Sequence, residues 1–507
     1  MNMFLKVEKQ LYIEEFVLPF EGKLRADNRW VKLAKIIPWD TIEDCYAKHF
    51  TSNRGQVAKP VRMALGVLLI QEKCGYSDRE TVEQITENPY LQYFIGLREY
   101  QDQPPFDPSL MVHFRKRFNA ETLKAINEEI CHAAKEAKEK KDDDNSKPKP
   151  PSGSNKAAEE GSTNPERKAS SFETYQENQG KLILDATCAP ADIRYPTDLT
   201  LLNEAREKLD NIIDIVHENL GKPGRRPRTY RRIARKAYLS IVRNRKPGKK
   251  AIHKAIGKQL RYVRRNLDTV ARLLSMAGDG HGLGRKHQEI LHTIRTVYEQ
   301  QLHMYTHRTH QIDNRIVSIS QPHVRPIVRG KATADVEFGV KVAISIVDGY
   351  AYVETMSWDA FNEGITLIES VECYHKRYGY YPEAVQADKI YRNRNNLRYC
   401  EEHGIRLSGP KLGRPLTDKK RQKEQKRLER QDSSERNAVE GKFGEGKRRY
   451  SLARIMARLK ETAESVICLQ FLVMNLEHRL RVLLSYFLRH LFQHSLAFAR
   501  SSLWCFS

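Results

Sequence analysis

The chain lacks the features that mark secreted, zinc-binding and membrane-spanning proteins. Its eight cysteines form no Cys-x-x-Cys pair, and none lies at zinc-ligand spacing from a histidine. The start, MNMFLKVEKQ, has no uninterrupted apolar segment of the signal-peptide kind. The longest mainly apolar stretch, Val466 to Leu476, has 11 residues, including Gln470 and Asn475, fewer than the ~18 that a membrane span needs. We therefore expect reduced thiols, a cytoplasmic protein and no membrane partner.

Acidic residues are also scarce relative to basic ones. The 507 residues include 87 Lys and Arg against 64 Asp and Glu, a formal net charge of +23. Residues 221–270 alone hold 18 basic residues and one acid, Asp268. Such a density of positive charge repels itself unless an anionic partner neutralises it. Nucleic acid is the leading candidate, and an anionic membrane surface is less favoured because the basic helices lack a matching Trp/Phe/Leu face.

Composition divides the chain into segments. Between Ala133 and Ser171 there is no Val, Ile, Leu, Met or aromatic residue, so this stretch cannot bury a core. Before it, helical apolar spacing and a basic segment, PSLMVHFRKRF, indicate an all-helical domain that either binds DNA or is a plain helical bundle. We predict a helical DNA-binding domain at 1–132, a disordered linker at 133–178, an α/β domain at 179–480 and a C-terminal tail at 481–507.

The α/β domain begins with an apolar strand and is then interrupted. The run KLILDATCAPADIRY (181–195) predicts a buried strand that carries Asp185, and the basic helical segment 200–320 follows as an insertion. Strand patterns return on both sides of Asp348-Gly349, a dipeptide typical of hairpin turns. After a helix, YPEAVQADKIY predicts another strand with Asp388 at its end.

Three carboxylates form the candidate catalytic set: Asp185, Asp388 and Glu440. The two aspartates sit on or at the end of apolar strands, where an ionised side chain is costly unless it is hydrogen-bonded or bound to a metal. Converging carboxylates supply the hard oxygen ligands that Mg²⁺ or Mn²⁺ prefers. Two such ions suit displacement at a phosphodiester, and we expect two here.

Basic residues accompany the glutamate. On a helix with 3.6 residues per turn, Arg436, Glu440 and Lys447 share one face. That arrangement fits a metal ligand beside a DNA phosphate, and the alternative is a plain surface ion pair between Arg436 and Glu440. Glu445 is the nearest competitor of Glu440 but faces the other way. We rank Asp192, Asp335 and Glu337 lower as ligands, and Asp348 as a turn residue.

These segments resemble the DDE transposases of bacterial insertion sequences, in the group-five family of the group-four superfamily. The matching motifs are LILDATCAPADI, VRPIVRGKATADVEFGVKV, VQADKIYRNRNN and RNAVEGKFGEGKRRY. The family signature is Tyr-x₂-Arg-x₃-Glu-x₆-Lys, in which x is any residue. Its last three members fall on Arg436, Glu440 and Lys447, whereas Ser433 occupies the tyrosine position.

The resemblance extends over essentially the whole chain and implies a fold and an activity. The expected fold is an α/β RNase H-like catalytic domain with a long basic helical insertion after the first strand, preceded by an all-α N-terminal domain. The expected protein binds the terminal inverted repeats of its element, cleaves DNA with Mg²⁺ or Mn²⁺ and joins the 3′-hydroxyl ends to target DNA. It would work as a homodimer on double-stranded DNA at the bacterial nucleoid.

The expected DNA contacts are basic side chains next to Glu440 and in the insertion: Arg436, Lys447, Arg225, Arg226, Arg228, Arg231 and Arg232. Two alternatives stay open. A metal-dependent nuclease or resolvase on the same fold would cut DNA without strand transfer. A basic DNA-binding repressor that has lost activity is disfavoured by the intact carboxylates.

Overall fold

The computed structural model describes residues 15–18, 22–48, 57–146, 177–277, 282–331, 334–410 and 419–504. Within these ranges the chain is a mixed α/β protein with a helical N-terminal region and one curled sheet. No helix in this part of the chain is both long and apolar enough to cross a membrane.

Among the described residues, the N-terminal region contains seven α-helices. They are α1 (Arg29–Ile36), α2 (Trp39–Ala47), α3 (Val61–Cys74), α4 (Asp78–Glu87), α5 (Pro89–Phe94), α6 (Leu110–Arg117) and α7 (Ala120–Ser146). Helix α3 is central, since every residue from Val61 to Ile70 is buried. Ser77 caps α4 by accepting a hydrogen bond from the Glu80 backbone N–H, which satisfies one of the donors left unpaired at a helix start.

Helix α7 extends into the interval that we predicted to be a disordered linker. It continues to Ser146, so residues 133–146 are helical, whereas 147–176 lie outside the described residues. The lack of large apolar residues excludes a core but not a helix, because Ala, Glu and Lys are strong helix formers. Tertiary support reaches the start of this extension, where Arg479 donates to the Ala133 carbonyl at 3.3 Å.

The sheet has six strands: β1 (Lys181–Pro190), β2 (Arg325–Lys331), β3 (Ala334–Val347), β4 (Tyr350–Ser357), β5 (Ala384–Gln386) and β6 (Arg406–Leu407). The order is β2-β3-β1-β5-β6, and β4 also pairs with the long strand β3. Strand β1 is antiparallel to β3 and parallel to β5. Asp348 and Gly349 both have positive φ, 51° and 83°, as the two-residue turn predicted between β3 and β4 requires.

In the described part of the interval between β1 and β2 there are four α-helices: α8 (Asp198–Asn219), α9 (Arg231–Val242), α10 (Lys249–Ala277) and α11 (Arg285–His307). They bury an apolar cluster of their own, which includes Leu209, Ile213, Val263 and Ile294. The buried pair of Arg206 with Asp210, at 2.8 Å, lies within α8. This segment therefore has the buried interior of a separately packed unit.

The last helices return to the sheet and to the N-terminal region. They are α12 (Leu367–Tyr378), α13 (Arg394–Glu402), α14 (Lys419–Arg449) and α15 (Lys460–Trp504). One apolar core joins the N-terminal helices, one face of the sheet and α15. Buried polar contacts cross the same junction, because Asn475 of α15 donates to Asn127 of α7 and to the Ala351 carbonyl of β4, at 2.8 and 2.7 Å.

Helix α15 runs across the predicted start of the C-terminal tail. Residues 481–504 continue α15, and 505–507 lie outside the described residues. No Gly or Pro occurs between Lys460 and Trp504, so nothing in the local sequence stops the helix.

Candidate active site

Asp185 lies on β1, and Asp388 follows the end of the neighbouring parallel strand β5 by two residues. Lys181 pairs with Ala384 and Ile183 pairs with Gln386, a constant offset of 203 residues (384 − 181 and 386 − 183). Extending this register by one more pair of residues on the same face places Asp388 beside Asp185. Strand pairing therefore brings together two residues that are far apart in the sequence.

Asp185 is a half-buried carboxylate in the middle of β1. The Ala186 backbone N–H donates to its Oδ1 at 2.8 Å. The pKa of Asp185 is raised to about 6, mainly by burial; the nearby charges of Glu363 and Asp388 act in the same direction, and Arg436 opposes the rise. The positive charge near Asp185 is therefore too small to offset the effect of burial on its ionised form.

Asp388 is exposed and begins a short 3₁₀ helix, Lys389–Tyr391. Its Oδ1 accepts a hydrogen bond from the Lys389 backbone N–H at 2.7 Å. The same oxygen lies 3.4 Å from Nη1 of Arg436 on α14. Arg436 thus approaches the aspartate pair from the helix that also carries Glu440.

Helix α14 is fixed against this edge of the sheet by acidic side chains. Glu435 pairs with Lys181 of β1 at 2.9 Å and accepts from Gln386 of β5. Asp432 accepts two hydrogen bonds from Arg406 of β6, at 2.6 and 2.9 Å. These contacts hold the helix across β1, β5 and β6.

Glycines within α14 do not interrupt the helix. A Cβ on Gly446 would lie 3.0 Å from Leu452 Cδ2 and 3.3 Å from Met474 Sδ. Gly446 therefore permits close packing at the end of the helix, and the intrinsic weakness of a Gly-containing helix is offset by tertiary contacts.

Glu440 lies one helical turn after Arg436 and has an exposed side chain. Lys447, two turns further on, is partly buried. Among the described residues, no three His, Cys, Asp or Glu side chains lie close enough together to hold a metal ion as they stand. The structure brings Asp185, Asp388 and Arg436 together and places Glu440 on the adjoining helix.

The competing carboxylates are engaged elsewhere. Glu445 pairs with Arg481 of α15 at 2.9 Å, on the side of α14 that faces away from Asp388. Asp192 accepts from Arg454 Nε at 2.8 Å. Asp348 belongs to the β3–β4 turn, as expected. Glu445 and Asp192 are thus paired with arginines, and Asp348 forms a turn, so each of these residues has a structural role.

Sequence reasoning missed Glu363, whose charge contributes to the raised pKa of Asp185. It lies in a short 3₁₀ helix, Glu363–Thr366, and pairs with Lys341 of β3 at 2.9 Å. The sequence around Glu363 has no apolar strand pattern, so the signal that marked the two aspartates is absent.

The predicted DNA-contacting arginines of the insertion fall into two groups. Arg226 and Arg231 both pair with Asp214 of α8, through Nε of Arg226 at 3.0 Å and Nη2 of Arg231 at 2.6 Å. Three others have exposed side chains: Arg225, Arg228 and Arg232. Arg226, although exposed, and the partly buried Arg231 thus have an acidic partner within the fold.

The basic end of α6 is also partly engaged in internal contacts. Arg115 pairs with Asp78 at 2.6 Å, and Arg117 donates to the Tyr46 hydroxyl at 3.2 Å. These two side chains connect α6 to α4 and α2.

Two family models match separate parts of the chain. Residues 18–117 match a Transposase domain (DUF772), and residues 385–477 match a Transposase DDE domain. The first match covers α1 to α6. The second includes Asp388 and Glu440, whereas Asp185 lies outside both matched ranges.

One similar protein is the uncharacterized protein ORF8 in the nfe locus of Rhizobium meliloti. It is 30% identical over 179 residues, which are 35% of this chain and 70% of that protein. No solved structure matches the chain. The two transposase domains define an enzyme class that cuts and transfers DNA, generally with divalent metal ions. This chain belongs to the DDE transposases of insertion sequences.

Proposed function

We propose that this transposase binds the terminal inverted repeats of its own insertion sequence, cleaves DNA by metal-dependent phosphodiester hydrolysis and joins the 3′-hydroxyl ends to target DNA. The observation that supports it most directly is the β1–β5 register, which puts Asp388 opposite Asp185 when it is continued two residues past Gln386. Arg436 lies 3.4 Å from Asp388 on the helix of Glu440.

Asp185, Asp388 and Glu440 would hold Mg²⁺ or Mn²⁺, as two ions. The fit rests on the donor set and its electrostatics: carboxylate oxygens are the preferred ligands, and the raised pKa of Asp185, about 6, reflects a half-buried carboxyl beside other carboxylates. Bound divalent ions would activate the attacking oxygen and stabilise the leaving oxygen of the phosphodiester. Glu440, on the helix that brings Arg436 to Asp388, would complete the set.

Arg436 and Lys447 would orient the DNA strand that is cut. A guanidinium can donate two parallel hydrogen bonds to one phosphate, whereas an ammonium acts as a single mobile charge. Arg436 already lies beside Asp388, so it is placed to position a phosphate next to the carboxylates. Lys447 lies on the same edge of α14, further from the aspartates.

The exposed arginines Arg225, Arg228 and Arg232 would bind DNA phosphates outside the cleavage site. They lie on or before α9, and α9 and α10 carry further basic residues. Such contacts would add affinity without reading sequence, since phosphates carry no base information. The N-terminal helices would contribute the remaining contacts to the element end.

The architecture that goes with this function is an RNase H-like domain with the helical insertion after its first strand. The order of antiparallel and parallel neighbours around β1 supports that assignment. We further propose membership of the group-five family, action as a homodimer that holds both element ends, and a location on the bacterial nucleoid.

The test is an assay with the purified protein, Mg²⁺ and DNA from the ends of its element. Wild-type protein should nick the end of the element, and a pre-cleaved end with a 3′-hydroxyl should be joined to a supercoiled plasmid. Asp185→Asn and Asp388→Asn should bind the same DNA but neither nick nor join it. Nicking without joining would indicate the nuclease alternative, and unchanged nicking by either variant would overturn the site.

A further inference from the structure

The start of α14 extends beyond the contacts that fix this helix to the sheet. Asp432 and Glu435 make those contacts, and the helix begins 13 residues before Asp432 (432 − 419), at Lys419. We call residues 420–430 the basic arm, because they include six Lys or Arg and two Glu. Four of these basic side chains are exposed and are considered below: Lys423, Lys426, Arg427 and Arg430.

The four exposed cations of the basic arm form one stripe. On a helix with about 100° per residue, Lys426, Arg427 and Arg430 lie at about −60°, +40° and −20° from Lys423. The two acids of the arm fall outside this arc. No carboxylate among the described residues pairs with any of the four side chains. Like charges three and four residues apart destabilise a helix, so an anionic partner along the stripe would stabilise it.

The basic arm and the N-terminal region lie at opposite ends of α14. Tyr450, directly after the helix, is buried, and its ring centroid lies 5.4 Å from Nζ of Lys73 on α3. A helix of 31 residues is about 45 Å long, so the start of α14 is far from this contact. Since the N-terminal helices are proposed to bind the element end, the arm is placed for DNA on the other side of the cut.

We propose that the basic arm binds the phosphates of the target DNA into which the element is joined. The inference rests on the proposed function and assigns its second DNA partner to a surface of this chain. With a rise of about 1.5 Å per residue, Arg430 and Lys423 lie about 9 and 20 Å before Arg436 along the helix axis. A duplex rises about 3.4 Å per base pair, so the arm would contact target phosphates about three to six base pairs from the joined phosphodiester.

The experiment measures joining of a pre-cleaved element end to a linear target duplex, so that no flanking donor DNA is present. The neutral variant carries Lys423→Gln, Lys426→Gln, Arg427→Gln and Arg430→Gln. Glutamine favours helix about as well as Lys and Arg, so this variant should keep the wild-type melting temperature. At subsaturating target and about 0.1 M salt, we expect it to join about tenfold more slowly or worse, while it still binds the element end and nicks an uncut end.

The matched control keeps the charge of the stripe. It carries Lys423→Arg, Lys426→Arg, Arg427→Lys and Arg430→Lys, and should join at close to the wild-type rate, because phosphate contacts of this kind depend on charge. As an independent readout, wild-type protein should protect the target backbone from hydroxyl radicals about three to six base pairs from the joining point. The neutral variant should leave the same positions open to cleavage.

The outcomes separate this inference from the function beneath it. If wild-type protein joins no pre-cleaved end to target in Mg²⁺, the proposed function fails. If wild-type protein joins and the neutral variant joins equally fast, with the same protected positions, the arm does not bind target DNA. If the neutral variant loses element-end binding or nicking by the same factor as joining, the arm binds donor DNA and its assignment to the target is wrong.

Discussion

Arg436 gives the sharpest test of how the site handles DNA. Its guanidinium lies 3.4 Å from Asp388 Oδ1, and the Asp388 side chain is 56% exposed. An exposed ion pair of this kind contributes about 0.2–1 kcal/mol to stability. If Arg436 were merely structural, Arg436→Ala would lower the melting temperature by about 4 °C at most and leave the chemical step unchanged.

A role in phosphate positioning predicts a much larger effect on the rate. Removing a hydrogen-bond donor that acts on charge developing in a transition state costs about 10²–10³ in rate. We expect Arg436→Ala to slow cleavage by about that factor. Arg436→Lys should recover a small part of the rate, because a lysine cannot form the two parallel bonds. Lys447→Arg should be milder than Arg436→Lys, since the lysine acts as a point charge and lies further from the aspartates.

The assay is single-turnover cleavage of pre-bound, nicked element-end DNA, with thermal unfolding measured in parallel. Arg448→Ala is the matched control, because Arg448 is an exposed arginine on the same helix. If Arg436→Ala cleaves saturating DNA at the wild-type rate, Arg436 does not position the phosphate. Its contact with Asp388 would then be a structural ion pair only.

Three further outcomes are expected. Glu440→Gln should abolish cleavage in a gel assay while Glu445→Gln keeps it, since Glu445 is bound to Arg481; the reverse result would exchange their roles. Replacing Arg225, Arg228 and Arg232 by Gln should flatten the plot of log binding constant against log salt concentration, by about 0.9 in slope for each phosphate that is no longer neutralised. In contrast, Arg226→Gln/Arg231→Gln should mainly lower the melting temperature. The pKa of folded Asp185 is raised to about 6, above its unfolded value of about 4, so its protonated form stabilises the folded protein at low pH and this stabilisation is lost as pH rises through that interval. Asp185→Asn should therefore melt at a higher temperature than wild type at neutral pH in EDTA. A lower melting temperature would contradict the argument that burial raises this pKa.

Local sequence patterns predicted the strands and the turn near the site well, because these structures depend mainly on residues that are close in the sequence. The strand around Asp185, the Asp348-Gly349 turn and the strand before Asp388 all follow from apolar runs and turn residues. The proximity of the two aspartates is different. It depends on a parallel pairing across 203 residues, and no local signal specifies which strands become neighbours.

The predicted linker and tail boundaries both fall within helices. The linker prediction treated the absence of large apolar residues as a sign of disorder, and the tail prediction set 481–507 apart from the α/β domain. A helix can continue without burying anything if its residues favour helix and its first turns are anchored. Arg479 anchors α7 through the carbonyls of Ile130 and Ala133, and α15 itself carries that arginine, so each helix supports the other.

Helix α14 connects the fold to the chemistry, because neighbouring turns of the helix have different roles. Asp432 and Glu435 are bound to Arg406 and Lys181 and hold the helix across this edge of the sheet. Arg436 and Glu440 follow on the next turns. A substitution at Glu435 would therefore move the candidate site residues Arg436 and Glu440 without touching them, and its effect on cleavage should be reversed by any change that restores the contact with Lys181. The charge pairs that align this helix are thus part of what determines the position of Glu440 relative to Asp185 and Asp388.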